Sequence, residues 1–214
     1  MRCYPSVDDE FIGGGIGEVV GGNWTKGYIS NTCFRFQKGM EGYAPYEYQD
    51  SGGYWTIGYG VTKIGELDYY NQLKANQPAS EEMCAKVFYK TIQENYGSKI
   101  VNRCKELGVT KQHQFDALCS LSYNAGIGRV LNDNTLTNTI KKYINSDMSK
   151  IIEVWETFII TSNGQVLNGL KARRKSEAQM FAGNMNKVEM RTIPIINKNG
   201  GITDNFKGDG WLPS

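Results

Sequence analysis

The stretch FQKGMEGYAPYEYQDSGGYWTIGYGVT, residues 36–62, holds the pattern on which an interpretation of this chain depends. It carries two carboxylates and a threonine, Glu41, Asp50 and Thr56, among glycines and aromatic residues. Within it, tyrosine, threonine and isoleucine are interrupted by DSGG, which predicts a small antiparallel sheet with a tight turn. The pattern therefore places paired carboxylates beside a hairpin.

Paired carboxylates beside a turn indicate glycoside hydrolysis. One carboxyl has to be protonated to donate to the leaving oxygen, and the other has to stay ionised to handle water or a cation-like sugar. His113 is the single histidine of the chain, whereas zinc hydrolases of the cell wall need two or more histidine ligands. His113 stands near the start of a predicted helix, where we expect a surface position. We predict carboxylate chemistry with no metal and no cofactor.

The rest of the chain reads as mostly helical. Ser80 is a plausible N-cap, and apolar residues recur at three- and four-residue spacing behind it, which predicts one long helix to residue 107, bent near Gly97. Thr110 is predicted to cap the next helix, which ends at Gly126. Further helices are predicted at 136–145, at 148–160 and up to about Gly183. The fold class is α+β, mainly α.

Two extensions flank this core. Residues 1–32 contain GGGIGEVVGG, which lacks the Lys-Ser/Thr of a phosphate loop and predicts an irregular segment. Residues 184–214 show no helical period, and NKNGG predicts a turn between short extended pieces. We expect both extensions to serve attachment or regulation rather than chemistry.

Bulk properties exclude several classes. The net charge of +2 is too small to indicate nucleic acid binding, and no apolar run is long enough for a transmembrane helix. The N-terminus lacks the apolar region of a signal peptide. The chain has five cysteines without a C-x-x-C pair, so reduced, mostly buried thiols are expected, and Cys84 and Cys104 would lie about 30 Å apart on one helix.

Three blocks of sequence, in order, resemble the phage-type lysozymes, the glycoside hydrolase family 24 muramidases. EGYAPYEYQDSGGYWTIGYG resembles the catalytic segment, QFDALCSLSYNAGIG the central buried helix, and GLKARRKSEAQMF the C-terminal G-L-x-x-R-R-x-x-E segment. The resemblance covers residues 33–183, and it implies a two-lobed fold with a small sheet and a helical lobe around a long connecting helix. Val61 departs from the pattern, since many members carry histidine there.

The resemblance also implies roles for the residues. Glu41 would be the general acid, and partial desolvation in a cleft would keep it protonated near neutral pH. Asp50 would stay ionised and position the attacking water or stabilise the oxocarbenium-like transition state, with Thr56 holding the water from the other side. The alternative for Asp50 is a turn aspartate that caps SGG, and Thr56 fits a strand in either case. Glu47, the nearest other carboxylate, is expected to be exposed.

Tyr123, Asn124 and Arg173 are the candidate substrate-binding residues. Tyr123 and Asn124 end the central helix, where packing explains them equally well. Arg173 and Arg174 are candidates to pair with Glu41 or with the wall polymer, and one of them is expected on the surface.

The resemblance implies hydrolysis of the β-1,4 bond between N-acetylmuramic acid and N-acetylglucosamine in peptidoglycan, with inversion. The expected setting is a phage protein made in the host cytoplasm, either an endolysin or a component of the virion tail that contacts other virion proteins. Two alternatives stay open. One is a lytic transglycosylase of the same fold, which uses one glutamate and no water, and the other is a non-catalytic wall-binding tail module.

Overall fold

The computed structural model describes residues 24–162 and 164–213. Over these residues the chain is mainly helical, with one three-stranded and two two-stranded antiparallel sheets, which confirms the predicted α+β class. It divides into two compact units. The first unit holds Phe34–Thr91 and residues 191–213, and the second holds residues 24–33, 92–162 and 164–190. GGGIGEVVGG and Cys3 lie outside the described residues.

In chain order, the α-helices of the described part are α1 (Asn31–Glu41), α2 (Leu67–Ala75), α3 (Glu81–Ile92), α4 (Ser98–Glu106), α5 (Gln112–Ala125), α6 (Ile127–Leu131), α7 (Asn134–Tyr143), α8 (Met148–Thr157) and α9 (Asn168–Phe181). The strands are β1 (Ala44–Gln49), β2 (Trp55–Gly58), β3 (Val61–Thr62), β4 (Thr161–Ser162), β5 (Gln165–Val166), β6 (Pro194–Ile196) and β7 (Ile202–Asn205).

The predicted hairpin forms the main sheet of the first unit. Strands β1, β2 and β3 follow one another in antiparallel order. Tyr48 pairs with Thr56 and Gln49 with Trp55. The loop between these pairs therefore contains DSGG, whose first residue is Asp50. Just after β2, the Tyr59 ring stacks on the Phe88 ring of α3 with centroids 5.2 Å apart.

The C-terminal residues 191–213 belong to the first unit. Strands β6 and β7 form an antiparallel pair around the NKNGG turn, which confirms the predicted turn between extended pieces. Whether residues 33–183 alone make up the domain stays a prediction.

The long helix predicted for residues 80–107 has an irregular middle. Helices α3 and α4 are joined by a π-helical segment, Gln93–Gly97, at the place where a bend was predicted. Gly97 belongs to the second unit, and a Cβ there would lie 2.0 Å from the Gly27 carbonyl oxygen. Only glycine lets the two backbones approach this closely.

The second unit is built around α5. Ten of its fourteen residues are buried, and it packs against α9. The N-cap of this helix is Lys111 rather than the predicted Thr110. The Gln114 side chain accepts hydrogen bonds from the Thr110 and Lys111 amides at 3.1 and 3.2 Å. Next to α5, the Trp24 ring lies 6.0 Å from the Phe115 ring.

His113 and α2 differ from the sequence interpretation. His113 is half-buried, and its Nδ1 lies 3.1 Å from both the Met180 and the Phe181 carbonyl oxygens. It therefore contacts the end of α9 rather than standing on the surface.

Helix α2, Leu67–Ala75, was not among the predicted helices. Only Tyr70 and Leu73 are buried there, and two positions do not define a helical period.

The described cysteines behave as expected. Cys33, Cys84, Cys104 and Cys119 are buried thiols without disulfides. Burial raises the pKa of Cys104 to about 12, so this group stays a neutral thiol at physiological pH.

Candidate active site

Asp50 organises the turn between β1 and β2. Its Oδ1 accepts hydrogen bonds from the Gly52 and Tyr54 amides at 2.8 and 2.9 Å. Gly53, at φ +79°, supplies the left-handed conformation that the turn requires. The turn interpretation of Asp50 is therefore correct for one of its two carboxylate oxygens.

The second carboxylate oxygen of Asp50 faces Thr56. The Thr56 Oγ1 lies 3.4 Å from Asp50 Oδ2 and 3.1 Å from the Tyr54 carbonyl oxygen. Thr56 is 2% exposed, and the hydroxyl has one hydrogen and two acceptor positions. Because that hydrogen can serve only one of the two oxygens well, Asp50 Oδ2 keeps acceptor capacity on this side.

Glu41 is the last residue of α1, and its side chain is half-buried. The helix ends because Gly42 takes φ +77°, the left-handed conformation common after a helix C-terminus. The Gly42 amide donates to the Lys38 carbonyl oxygen at 3.0 Å. Glu41 therefore stands where the chain leaves α1 and enters β1.

Tyr48 is influenced by both carboxylates of the candidate site, Glu41 and Asp50. Burial raises the pKa of Tyr48 most, and the negative charges of Asp50 and Glu41 raise it further. Both carboxylates therefore act on one phenol at the end of β1. The structure thus brings Glu41, Asp50 and Thr56 into one part of the first unit.

Glu47 was expected to be exposed, which is wrong. Its carboxylate accepts a hydrogen bond from the Tyr70 hydroxyl and forms an ion pair with Lys74 at 2.9 Å. The Tyr70 hydrogen bond is the main reason why the pKa of Glu47 is lowered. Glu47 of β1 therefore binds two residues of α2.

Of the predicted substrate-binding residues, Tyr123 and Asn124 end α5 in the second unit. Both are half-buried. The Tyr123 ring lies 5.0 Å from the Tyr96 ring, and the Asn124 Oδ1 accepts from an Arg174 Nη2. These contacts are sufficient to explain both residues by packing, so a role in sugar binding stays a prediction.

Arg173 and Arg174 are both buried, at 4% and 0% exposure, so the expectation that one lies on the surface is wrong. The reason is Glu177, which is also fully buried. Arg173 Nε donates to Glu177 Oε1 at 3.0 Å and Arg174 Nη1 to Oε2 at 2.6 Å. The Ser120 hydroxyl donates to Oε1 at 2.7 Å. This cluster links Arg173 to Asn124 through Arg174.

Sequence reasoning missed Tyr48, Lys38 and Glu81 as residues of interest, and it gave Glu177 no role. Glu177 had a signal, since it is the glutamate of the R-R-x-x-E pattern. Lys38 and Glu81 form a buried ion pair at 3.2 Å although they are 43 residues apart, and no local pattern predicts such a pair.

Comparison with known proteins places the chain among phage lysozymes and endolysins in sequence. The phage lysozyme family model matches residues 38–177. The endolysin of Bacillus phage B103 is 31% identical over 156 residues, covering 72% of this chain and 53% of that protein. The endolysin of Acyrthosiphon pisum secondary endosymbiont phage 1 is 29% identical over 161 residues, covering 72% and 97%. The chain thus spans about half the length of the first relative.

Solved structures show the same fold. The muramidase domain of SpmX from Asticaccaulis excentricus is 25% identical, with a TM-score of 0.54, over 72% of this chain and 96% of that one. The active form of the P1 phage endolysin Lyz is 19% identical, with a TM-score of 0.55, over 73% and 86%.

The fold is that of the lysozyme-type proteins in these comparisons. The chain belongs to the phage lysozyme family. Within residues 24–162 and 164–213, no helix is long and apolar enough to cross a membrane.

Proposed function

We propose that the chain hydrolyses the β-1,4 bond between N-acetylmuramic acid and N-acetylglucosamine in bacterial peptidoglycan, with inversion. Glu41 donates a proton to the glycosidic oxygen, and Asp50 with Thr56 holds the water that attacks the anomeric carbon. Membership of the phage lysozyme family and the likeness to a muramidase domain support this proposal. The observation that carries it is that the two carboxylate oxygens of Asp50 have different partners.

Asp50 Oδ1 accepts from two turn amides, which fixes the carboxylate plane. Oδ2 is then held next to the Thr56 hydroxyl. A water at this place donates one hydrogen to Asp50 Oδ2 and the other to Thr56 Oγ1, so its lone pair is available for the sugar carbon. When that bond forms, Asp50 takes the water's proton and Glu41 has already given one to the leaving sugar, so the protons balance.

Further proposals concern substrate and setting. Tyr123, Asn124 and Arg173 are proposed to contact or support the glycan, and residues 33–183 are proposed as the lysozyme domain between two extensions. The two named relatives are phage endolysins, which supports synthesis in a host cytoplasm and action on the cell wall. A tail-associated lysozyme remains the second setting.

The test is product analysis on purified peptidoglycan, by mass spectrometry and by NMR before mutarotation. We expect new reducing ends on N-acetylmuramic acid, added water, and the α-anomer first. Inversion places a water between the acid and the base, which requires about 6.5–9.5 Å between the carboxyl groups. Anhydro sugars would contradict hydrolysis and indicate a transglycosylase, and a first-formed β-anomer would contradict inversion.

The Asp50→Asn variant is the matched arm of this experiment. The amide oxygen still accepts from the Gly52 and Tyr54 amides, so the turn and the Tm should persist, while the base is lost. We expect product formation to fall by at least ~10²-fold. Activity near that of the wild type would show that Asp50 only shapes the turn.

A further inference from the structure

The C-terminal residues 191–213 lie against the end of α1 that carries Glu41. The Tyr43 amide donates to the Pro194 carbonyl oxygen, and the Ile196 amide donates to the Tyr43 carbonyl oxygen, both at 2.8 Å. Tyr43 follows Glu41 by two residues and pairs in parallel with Ile195. Strand β6 therefore holds the backbone that leads from the proposed acid into β1.

The glycines on both sides of Glu41 allow this contact. A Cβ at Gly39 would lie 2.6 Å from the Arg191 carbonyl oxygen, and one at Gly42 would lie 2.9 Å from the Ile196 Cδ1. At Gly39 the close neighbour is backbone, so only glycine fits there, and at Gly42 the φ of +77° also favours glycine. The C-terminal segment and the end of α1 are therefore in direct backbone contact.

Lys38, one helical turn before Glu41, is the centre of a second contact. Its side chain is fully buried, and its ammonium group donates to the carbonyl oxygens of Asp209 and of Trp211, the latter at 2.7 Å, and to Glu81 Oε1 at 3.2 Å. An ammonium group has three hydrogens, and these three acceptors match them. Burial lowers the pKa of Lys38, while the Glu81 charge raises it.

Glu81 closes the same cluster from α3. Its Oε1 also accepts from the Tyr59 hydroxyl at 2.6 Å, and its Oε2 accepts from the Trp211 amide at 2.7 Å. Both charges of the pair thus bind residues 209–211 directly. A buried pair of this kind favours one arrangement, because moving either partner leaves the other charge unsatisfied.

The turn of the C-terminal hairpin reaches the other end of β1. The Lys198 ammonium lies 4.3 Å from the centroid of the Tyr46 ring. A Cβ at Gly200 would lie 3.2 Å from the Tyr48 ring, and Tyr48 is the phenol on which both Glu41 and Asp50 act. The segment therefore contacts the chain beside both proposed catalytic carboxylates.

We propose that residues 191–213 are a positioning element of the active site, which holds Glu41 in place through β6, Lys38 and Glu81. The proposal rests on the proposed hydrolase function. It gives the C-terminal extension a part in the chemistry, where the sequence predicted only attachment or regulation.

Gly210 offers a test far from the carboxylates in sequence. At φ +64°, its added Cβ would lie 2.3 Å from the Glu81 carboxylate, which Lys38 and Tyr59 hold in place. In Gly210→Ala the segment must therefore move. Gly208→Ala is the matched control, because Gly208 has φ +80° and nothing within 4 Å of an added Cβ. Both variants carry the same kind of backbone strain, and only one disturbs the ion pair.

The measurements are kcat and KM on soluble glycan strands, well below the Tm of each full-length variant. We expect kcat of Gly210→Ala to fall by about 10- to 10²-fold, as for a slightly misplaced catalytic group, with KM nearly unchanged. Gly208→Ala should keep the wild-type kcat. A Gly210→Ala protein with a lower Tm but the wild-type kcat would show a purely stabilising segment and overturn the proposal, and so would equal losses in both variants.

Hydrogen exchange provides a readout that needs no activity. In Gly210→Ala the Tyr43 and Ile196 amides should exchange faster while those of β2 and β3 do not, and unchanged exchange would overturn the proposal. If Gly210→Ala does not fold, Trp211→Ala is the second variant, since its ring packs edge-on against Phe34 and Tyr89 at 6.3 and 6.2 Å. A wild-type protein that cleaves no glycan would refute the hydrolase function, and hydrogen exchange would still decide whether the segment holds this backbone.

Discussion

Glu177 of the second unit and Asp50 of the first unit are both acids of the family-like sequence blocks, yet the structure treats them differently. Glu177 is fully buried, and both its oxygens are taken by arginines and Ser120. Asp50 is half-buried, with one oxygen bound by turn amides and the other beside one hydroxyl at 3.4 Å. The difference separates an acid whose two oxygens are both bound by donors from one that keeps acceptor capacity, as the proposed catalytic role of Asp50 requires.

The two acids should respond differently to neutralisation. Neutralising a saturated, buried acid should lower the free energy of unfolding, because its partners lose their counter-charge. Neutralising a half-buried acid with a catalytic role should lower activity and leave the free energy of unfolding nearly unchanged. The following variants test that separation.

Glu177→Gln should have the largest effect on stability. The amide keeps the shape but leaves the Arg173 and Arg174 guanidinium groups buried without a counter-charge, so we expect a loss of ~3–5 kcal/mol in the free energy of unfolding. Urea denaturation measures it. Glu153→Gln is the control, because the Glu153 side chain is 74% exposed and its Lys150 pair is 3.7 Å long. Similar losses in both variants would remove the contrast on which the comparison depends.

Asp116 is a second buried acid, and its contribution to stability can be tested through pH. Burial raises the pKa of Asp116 to about 6, against an ordinary value of 3.8, although Ser30 and Gln112 donate to it. Between these values the folded protein holds a proton that the unfolded chain has released, so stability should fall as pH rises from about 4 to 6. A shift of about two pKa units corresponds to ~3 kcal/mol.

Asp116→Asn should remove this slope. The amide oxygen still accepts from the Ser30 amide and Gln112, and the Ser30 hydroxyl can turn to accept from the new amide group. Unfolding free energies of both proteins across that pH range provide the measurement. An identical slope in the variant would assign the pH dependence to other groups.

Glu41→Gln tests the half-buried acid at the end of α1. Peptidoglycan cleavage should fall by at least ~10²-fold, which is ~2.7 kcal/mol of transition-state stabilisation. The free energy of unfolding should change by less than ~0.5 kcal/mol. Glu47→Gln is the control in the same unit and should keep activity, since Glu47 binds Tyr70 and Lys74. A Glu41→Gln protein with a tenth or more of wild-type activity would rule out Glu41 as the acid.

Local pattern was sufficient for much of the fold. The DSGG turn, the hairpin and the irregularity near Gly97 follow from residues close together in sequence, and such signals depend on backbone conformation and short-range hydrogen bonds. The short helix α2 was not predicted, because its two buried positions do not define a helical period. The class of protein and the triad Glu41, Asp50 and Thr56 came from the order of three motif blocks.

Sequence by itself thus determined the class, the helix-and-hairpin layout and the candidate catalytic residues, because those depend on residue type and short spacing. Tertiary structure decided which charges are buried and what they bind. It buried both Arg173 and Arg174 around Glu177, paired Lys38 with Glu81, and brought residues 191–213 against the chain around Glu41. The physical reason is that burial and pairing join residues far apart in sequence, and the stability of such a contact depends on every group packed around it.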